Sequence, residues 1–312
     1  MPVNIAYIFA NDSAPFRKNL PYSLCLCVDF PWAVLIYRKN TCNITWRYNG
    51  GMLFDGKQFA REIEEQVGAR VTSLVRAPKV VSILVGDDPA SELYTRLKKQ
   101  AAERVGVDFA VKKYTTEKVK NLEAEIAELG AREDVTGVMV QLPLPEPLRG
   151  FSSKYIKMIP LTKDVDGLRW EESKIMPATV RAILSVLERI AKDSRREILD
   201  SRFVVVGARG SVGRPLAHYL RERRIEVAEV EWDTPDPAKI TRGGDVVISC
   251  TGKAGIVTGG MVKNGVVALD VGSPKGDMTQ EVYEKASVAV PVPGGVGPVT
   301  IACLMQNALD LV

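Results

Sequence analysis

The 312-residue chain predicts an α/β protein of two domains built on mainly parallel sheets. Three observations carry that reading. Continuous β-rich runs such as Lys79–Gly86 (KVVSILVG) and Arg202–Val206 (RFVVV) suit strands buried on both faces. Segments with apolar residues at helical spacing separate them, which is the rhythm of βαβ units. The length allows two domains of ordinary size, each with its own core.

Residues 1–51 differ from the rest. They hold nine of the aromatic side chains, Cys25, Cys27 and Cys42, and only Asp12 and Asp29 as acids. No sustained helical or alternating period runs through them, and the apolar stretch YSLCLCVDFPWAVLIY lies too far in for an ordinary secretory signal. They are read as an extension outside the fold. A targeting segment and an upstream translation with the true start at Met52 compete, and the second is expected.

Regular patterning begins after Met52. Phe59, Ile63, Val67, Val71 and Leu74 predict a helix following the turn Asp55-Gly56. Strand Lys79–Gly86 ends at Asp87-Asp88-Pro89, and Ser91 is the expected N-cap of a helix reaching about Val105. A strand over Val107–Lys112, a helix across Leu122–Leu129 and a strand over Gly137–Leu142 complete a first domain, 52–168. A second domain, 169–293, takes a helix from about Thr179 and strands at Arg202–Val206, Ile225–Val230, Asp245–Ser249 and Val266–Val271. The final helix, Thr300–Val312, carries Ile301, Leu304, Met305, Ala308 and Leu309 on one stripe; with its loop, 294–312, it is expected to return to the first domain.

Composition bounds the function. An apolar fraction of 46% and a charged fraction of 26% are those of a globular protein. A net charge of +4 without a basic stripe suits an anionic small molecule and predicts no nucleic-acid partner. No apolar run reaches membrane-spanning length, so no membrane partner is expected. Beyond residue 51 only Cys250 and Cys303 remain, with no CxxC spacing and a single His218. No metal site and a reducing, cytoplasmic location are therefore expected.

Five constellations carry chemistry. Gly207–Pro215 (GARGSVGRP) follows a strand and opens a helix, which presents backbone N–H groups to a pyrophosphate in a Rossmann-like domain. Its glycines, Gly207, Gly210 and Gly213, are spaced G-x-x-G-x-x-G, so a tight turn alone is the bland alternative. Ser91, Tyr94 and Lys98 share one helix face. A lysine there is useful in proton transfer only with a lowered pKa; a solvated lysine is the alternative, and charge patterning favours it. Gln141 ends a buried strand before alternating prolines and either caps backbone or hydrogen-bonds a substrate or catalytic amine. Lys163–Gly167 (KDVDG) offers a carboxylate suited to an N–H-rich heterocycle. Finally Pro291–Pro298 (PVPGGVGP) is stiff and bare, fit either for a tight connection or for placing backbone against a ligand.

Taken in order, VGDDPASELYTRLK, GVMVQLPLP, KDVDG, GARGSVGRP, DVGS and PVPGGVGP make the chain from Met52 onward resemble the bifunctional methylenetetrahydrofolate dehydrogenase/methenyltetrahydrofolate cyclohydrolase family. The resemblance implies that Lys98 is catalytic, that Tyr94 packs on the folate and that Gln141 supports the unprotonated amine. It further implies that Asp166 binds the pterin edge and that Pro293, Gly294 and Gly295 wall the substrate. Gly207, Ala208, Arg209, Gly210, Ser211, Gly213 and Ser273 match dinucleotide-contacting positions. The resemblance implies a homodimer using NADP. Glu231 and Asp233 depart from the family, standing where a basic residue usually meets the 2′-phosphate, and support NAD as the alternative. A monofunctional dehydrogenase, a non-catalytic folate or nucleotide regulator and a shikimate-dehydrogenase-like layout are the competing readings.

Overall fold

The computed structural model describes residues 22–26, 34–38, 44–48, 51–116, 122–194 and 198–312. Four strands come first: β1 (Tyr22–Leu26), β2 (Val34–Arg38), β3 (Ile44–Tyr48) and β4 (Gly51–Leu53). Then follow α1 (Gly56–Thr72), β5 (Lys79–Val85), α2 (Pro89–Val105), β6 (Asp108–Tyr114), α3 (Leu122–Ala131), β7 (Gly137–Val140), α4 (Ser152–Met158) and α5 (Ala178–Ser194). The remainder is β8 (Phe203–Val206), α6 (Gly213–Glu222), β9 (Val227–Val230), α7 (Pro237–Arg242), β10 (Val246–Ser249), β11 (Val267–Asp270), α8 (Gln280–Lys285), β12 (Val288–Val290) and α9 (Val296–Asp310). Contacts gather these elements into two compact units. One holds residues 56–196, 214–219 and 296–312, the other residues 1–55, 197–213 and 220–295.

The first unit is organised by a parallel sheet of three strands in the order β6-β5-β7. Central β5 is buried on both faces, Val80 through Val85 all being covered, which suits its nearly unbroken apolar run. One core cluster joins Ile83 and Val140 of the sheet to Ile126 and Leu129 of α3 and to Tyr155 of α4. Helix α2 is capped by Asp88, whose side chain accepts the Ser91 N–H at 2.7 Å. The expected cap at Ser91 thus moves back three residues, since Pro89 fits the first turn, where its missing N–H costs nothing.

Helix α9 packs against α1, α2 and α5 in this unit. It is apolar almost all round, with buried residues from Val296 to Leu309, rather than carrying the single stripe expected. It also starts four residues before Thr300, because Pro298 sits in its first turn and needs no N–H partner there. Helix α5, assigned to the second domain by the boundary at 168/169, gathers with residues 56–196. Leu74 falls just beyond the end of α1.

The second unit carries a nine-stranded sheet in the order β1-β2-β3-β4-β12-β11-β10-β8-β9. From β4 to β9 every pair is parallel, with Val247 opposite both Ala268 and Val204. Strands β1 to β3 join β4 by antiparallel pairing, Trp46 standing opposite Leu53. The remaining residues of the 1–51 extension, apart from Gly51 in β4, lie outside the described residues. Strands β4 and β12, three residues each, were not expected from the sequence and pair with each other. Val204, Val247, Ala268 and Val282 lie at the heart of the core cluster.

Candidate active site

Lys98 lies on α2, one turn beyond the half-buried Tyr94. Its Nζ donates to Gln141 Oε1 at 3.0 Å. Gln141 is placed from the sheet: it directly follows β7, its backbone N–H donates to Ile83 O at 2.8 Å, and its Nε2 donates to Leu142 O at 2.7 Å. With the other amide atom committed, Oε1 is held toward the amine. Protein crowded around the Lys98 amine pushes its pKa below the ordinary lysine value, and the Asp166 carboxylate opposes that shift. The structure therefore brings Lys98, Gln141 and Asp166 into one electrostatic neighbourhood.

Asp166 owes its place to residues that sequence reasoning passed over. Asp164, almost fully buried, accepts the N–H groups of Gly167 at 3.1 Å and Arg169 at 2.8 Å, and so winds the loop around itself. Burial pushes the Asp164 carboxyl up, against the hydrogen bonds that favour its charge. Gly167 has φ 69°, and a Cβ there would lie 2.7 Å from the Met176 carbonyl. Asn307 of α9, wholly buried, clamps both sides of that close approach: its Nδ2 donates to Val165 O and Met176 O, each at 3.0 Å. Its Oδ1 accepts from Arg181 Nη1 at 2.8 Å. An asparagine within an apolar helix was the available signal. Ser91, expected as a cap, is instead buried in the first turn and gives its N–H to the cap Asp88, while Thr95 Oγ1 one turn on is buried without a hydrogen-bond partner among the described residues.

The glycine turn belongs to the second unit at its β8 end. Gly207 has φ 83°, and a Cβ there would sit 3.0 Å from Cys250 O. A Cβ on Gly213 would fall 2.1 Å from Gly207 O, so no side chain fits and the backbone doubles back tightly. Ala208 is buried, and Gly210 N–H donates to Gly207 O at 3.1 Å. Val212 precedes α6 without a side-chain cap, so the first-turn N–H groups are left to a ligand or solvent. These features fit a pyrophosphate cradle. Ser211 lies within this turn. Ser273 lies in a loop wound around buried Asp270, which accepts from Gly272 N and Asp277 N and from the Tyr283 hydroxyl at 2.7 Å.

Gly294 has φ 99°, and a Cβ on Gly295 would meet Pro291 O at 2.5 Å. Pro293, Gly294 and Gly295 thus form a short bare turn between β12 and α9, within the unit that holds the glycine cradle. His218 packs its ring 4.9 Å from that of Trp170. Burial pushes the thiols of Cys250 and Cys303 up to about 12, which leaves both in the thiol form.

Comparison with known proteins divides the chain in sequence order, and so counts α5 and α9 with the dinucleotide-binding half although both gather with the first unit. Residues 54–166 match the tetrahydrofolate dehydrogenase/cyclohydrolase catalytic domain, and residues 177–312 match the NAD(P)-binding domain of the same family. The bifunctional protein FolD of Methanococcoides burtonii is 38% identical over 278 residues, covering 82% of this chain and 95% of that protein. The solved structure of the bifunctional FolD dehydrogenase/cyclohydrolase from Campylobacter jejuni superposes with a TM-score of 0.74 at 32% identity, over 83% of this chain and 97% of that one. A Trypanosoma brucei FolD structure, complexed with NADP cofactor and inhibitor, also reaches 0.74, at 30% identity over 84% and 97%. The lysine–glutamine pair on the three-stranded sheet and the glycine cradle on the nine-stranded one therefore sit in matching domains, and the chain belongs to the tetrahydrofolate dehydrogenase/cyclohydrolase family.

Proposed function

We propose that this chain oxidises 5,10-methylenetetrahydrofolate to 5,10-methenyltetrahydrofolate with a nicotinamide dinucleotide and hydrolyses the product to 10-formyltetrahydrofolate, within one-carbon metabolism. The observation that carries the reading is the Lys98–Gln141 hydrogen bond within the matched catalytic domain. A filled lysine and glutamine position favours both activities over a dehydrogenase alone or a non-catalytic regulator.

Gly207, Ala208, Arg209, Gly210, Ser211, Gly213 and Ser273 would hold the dinucleotide, which would supply the hydride acceptor. Tyr94 and Asp166 orient the folate ring system, and Pro293, Gly294 and Gly295 add a bare backbone wall. The methenyl carbon is electron-poor, so water adds to it. The oxygen of that water becomes the formyl oxygen and gives up both protons: Lys98, unprotonated through its surroundings, takes them in turn, returning one to the ring nitrogen whose bond to the carbon breaks and releasing the other to solvent. Gln141 keeps the amine aimed by accepting its hydrogen bond. The enzyme is assigned to the cytoplasm, which Cys250 and Cys303, the free thiols among the described residues, suit, and to a homodimer; the working fold is assigned to residues 52–312. Among the described residues no helix is long and apolar enough to cross a membrane.

The test is to follow dinucleotide reduction and then the decay of methenyl absorbance with the purified chain. Replacing Lys98 by Met should cut hydrolysis by roughly 10²–10⁴-fold, the usual worth of a positioned acid–base group. Undiminished hydrolysis in that variant removes Lys98 from the mechanism; no turnover by the unaltered chain overturns the function.

A further inference from the structure

The rim of the glycine turn is acidic where the sugar end of a dinucleotide would lie. Two acidic residues, Glu231 and Asp233, stand just beyond the end of β9. The Glu231 carboxylate accepts the backbone N–H of Arg209, the second residue after Gly207. Asp233 Oδ2 accepts from Arg209 Nη1 at 2.8 Å. The acidic segment is itself braced, Glu231 N–H donating to Thr234 Oγ1 at 2.7 Å and Thr234 N–H to Glu231 O at 3.1 Å. Of the arginines on α6, Arg214 pairs with Glu171 and Arg221 with Glu229.

We propose that Glu231 and Asp233 select the dinucleotide with a free ribose 2′-hydroxyl, so that this chain prefers NAD to NADP. The inference rests on reading the glycine turn as a dinucleotide site. An acidic side chain at the end of the second strand of such a unit accepts a hydrogen bond from the 2′-hydroxyl. A 2′-phosphate would instead bring further negative charge against two carboxylates. Arg209 is the residue that could offset this, but its guanidinium is neutralised by Asp233. That pair is exposed, at 65% and 39%, and so is weak by itself. Glu231 decides the matter, because it is tied to the backbone of the turn and cannot leave without breaking the turn's own hydrogen bond. The preference therefore follows from where a carboxylate is anchored rather than from the strength of one surface ion pair.

Calorimetric titration of the full chain with NADH and with NADPH tests this without reference to turnover. NADH should bind at least roughly tenfold tighter, the scale on which like-charge contacts discriminate partners. Titration with AMP and 2′,5′-ADP, which differ only by the 2′-phosphate, should repeat the order. The paired change Glu231→Gln with Asp233→Asn frees Arg209 and should narrow or invert the ratio; Glu231→Gln alone serves the same purpose if the pair does not fold. Equal or tighter binding of NADPH by the unaltered chain overturns the selection while leaving the dinucleotide site standing. An unchanged ratio in the variants also overturns it. Binding of neither dinucleotide overturns the reading of the site itself.

Discussion

Replacing Asn307 by Leu should loosen the Asp166 loop and raise the Michaelis constant for folate. The side chain is wholly buried and makes three hydrogen bonds: two from Nδ2 to the carbonyls of Val165 and Met176, and one accepted from Arg181. Leucine has nearly the same bulk, so the loss is one of pairing rather than of volume. Arg181 keeps Asp310 at 2.5 Å, so most of the cost falls on the two orphaned carbonyls. At about 1–3 kcal/mol for each of the two groups left unpaired, the variant should lose about 2–6 kcal/mol. That is a large part of the 5–15 kcal/mol typical of a whole domain, and urea unfolding would read it as a lower midpoint with an unchanged slope. Because Val165 adjoins Asp166, the folate constant should rise while dinucleotide affinity stays. A stability change below about 1 kcal/mol with an unaltered folate constant would refute the clamp.

The remaining predictions concern both halves of the reaction. Gly213→Ala should abolish dinucleotide binding while leaving folate binding, since its Cβ would lie 2.1 Å from Gly207 O; retained NADH affinity in calorimetry would contradict this. The hydrolysis rate should rise with pH to a plateau reached below the ordinary lysine value of 10.5, because the Lys98 amine is pushed downward and acts unprotonated; a limb centred at 10.5 would count against it. Over the window between that lowered value and 10.5 the native state holds fewer protons than the unfolded chain, so this lysine makes stability rise with pH there, and Lys98→Met should flatten the rise. A chain beginning at Met52 should keep both activities, and loss of either would place residues 1–51 in the working fold.

The sequence made the site's chemistry more legible than its support. Lys98, Gln141 and Asp166 stand at spacings that motif order picks out, and the strand cores announce themselves as unbroken apolar runs. Asn307 lies in none of those motifs, and Asp164, although inside KDVDG, announces no role there, because the work of both depends on carbonyls and N–H groups brought near only by the folded backbone. Strands β4 and β12 are three residues long, too short for any period to register. The start of α9 was set too late because Pro298 reads as loop punctuation, although the first helical turn has no use for its N–H. Ser91 read as a cap because Asp88 and Ser91 both precede the apolar face, and only geometry decides between them.

The gathering of residues 296–312 with residues 56–196 has a consequence for biosynthesis. Helices α1 and α5 present their apolar faces to α9, which the ribosome reaches only a hundred residues after Arg196. At about 5–20 residues per second that delay is about 5–20 s. During it the strands of the second unit are being made, and the half-finished first unit must wait with an uncovered groove. The chain thus closes its earlier half last, and a nascent chain stalled before residue 296 should be the form that chaperones hold.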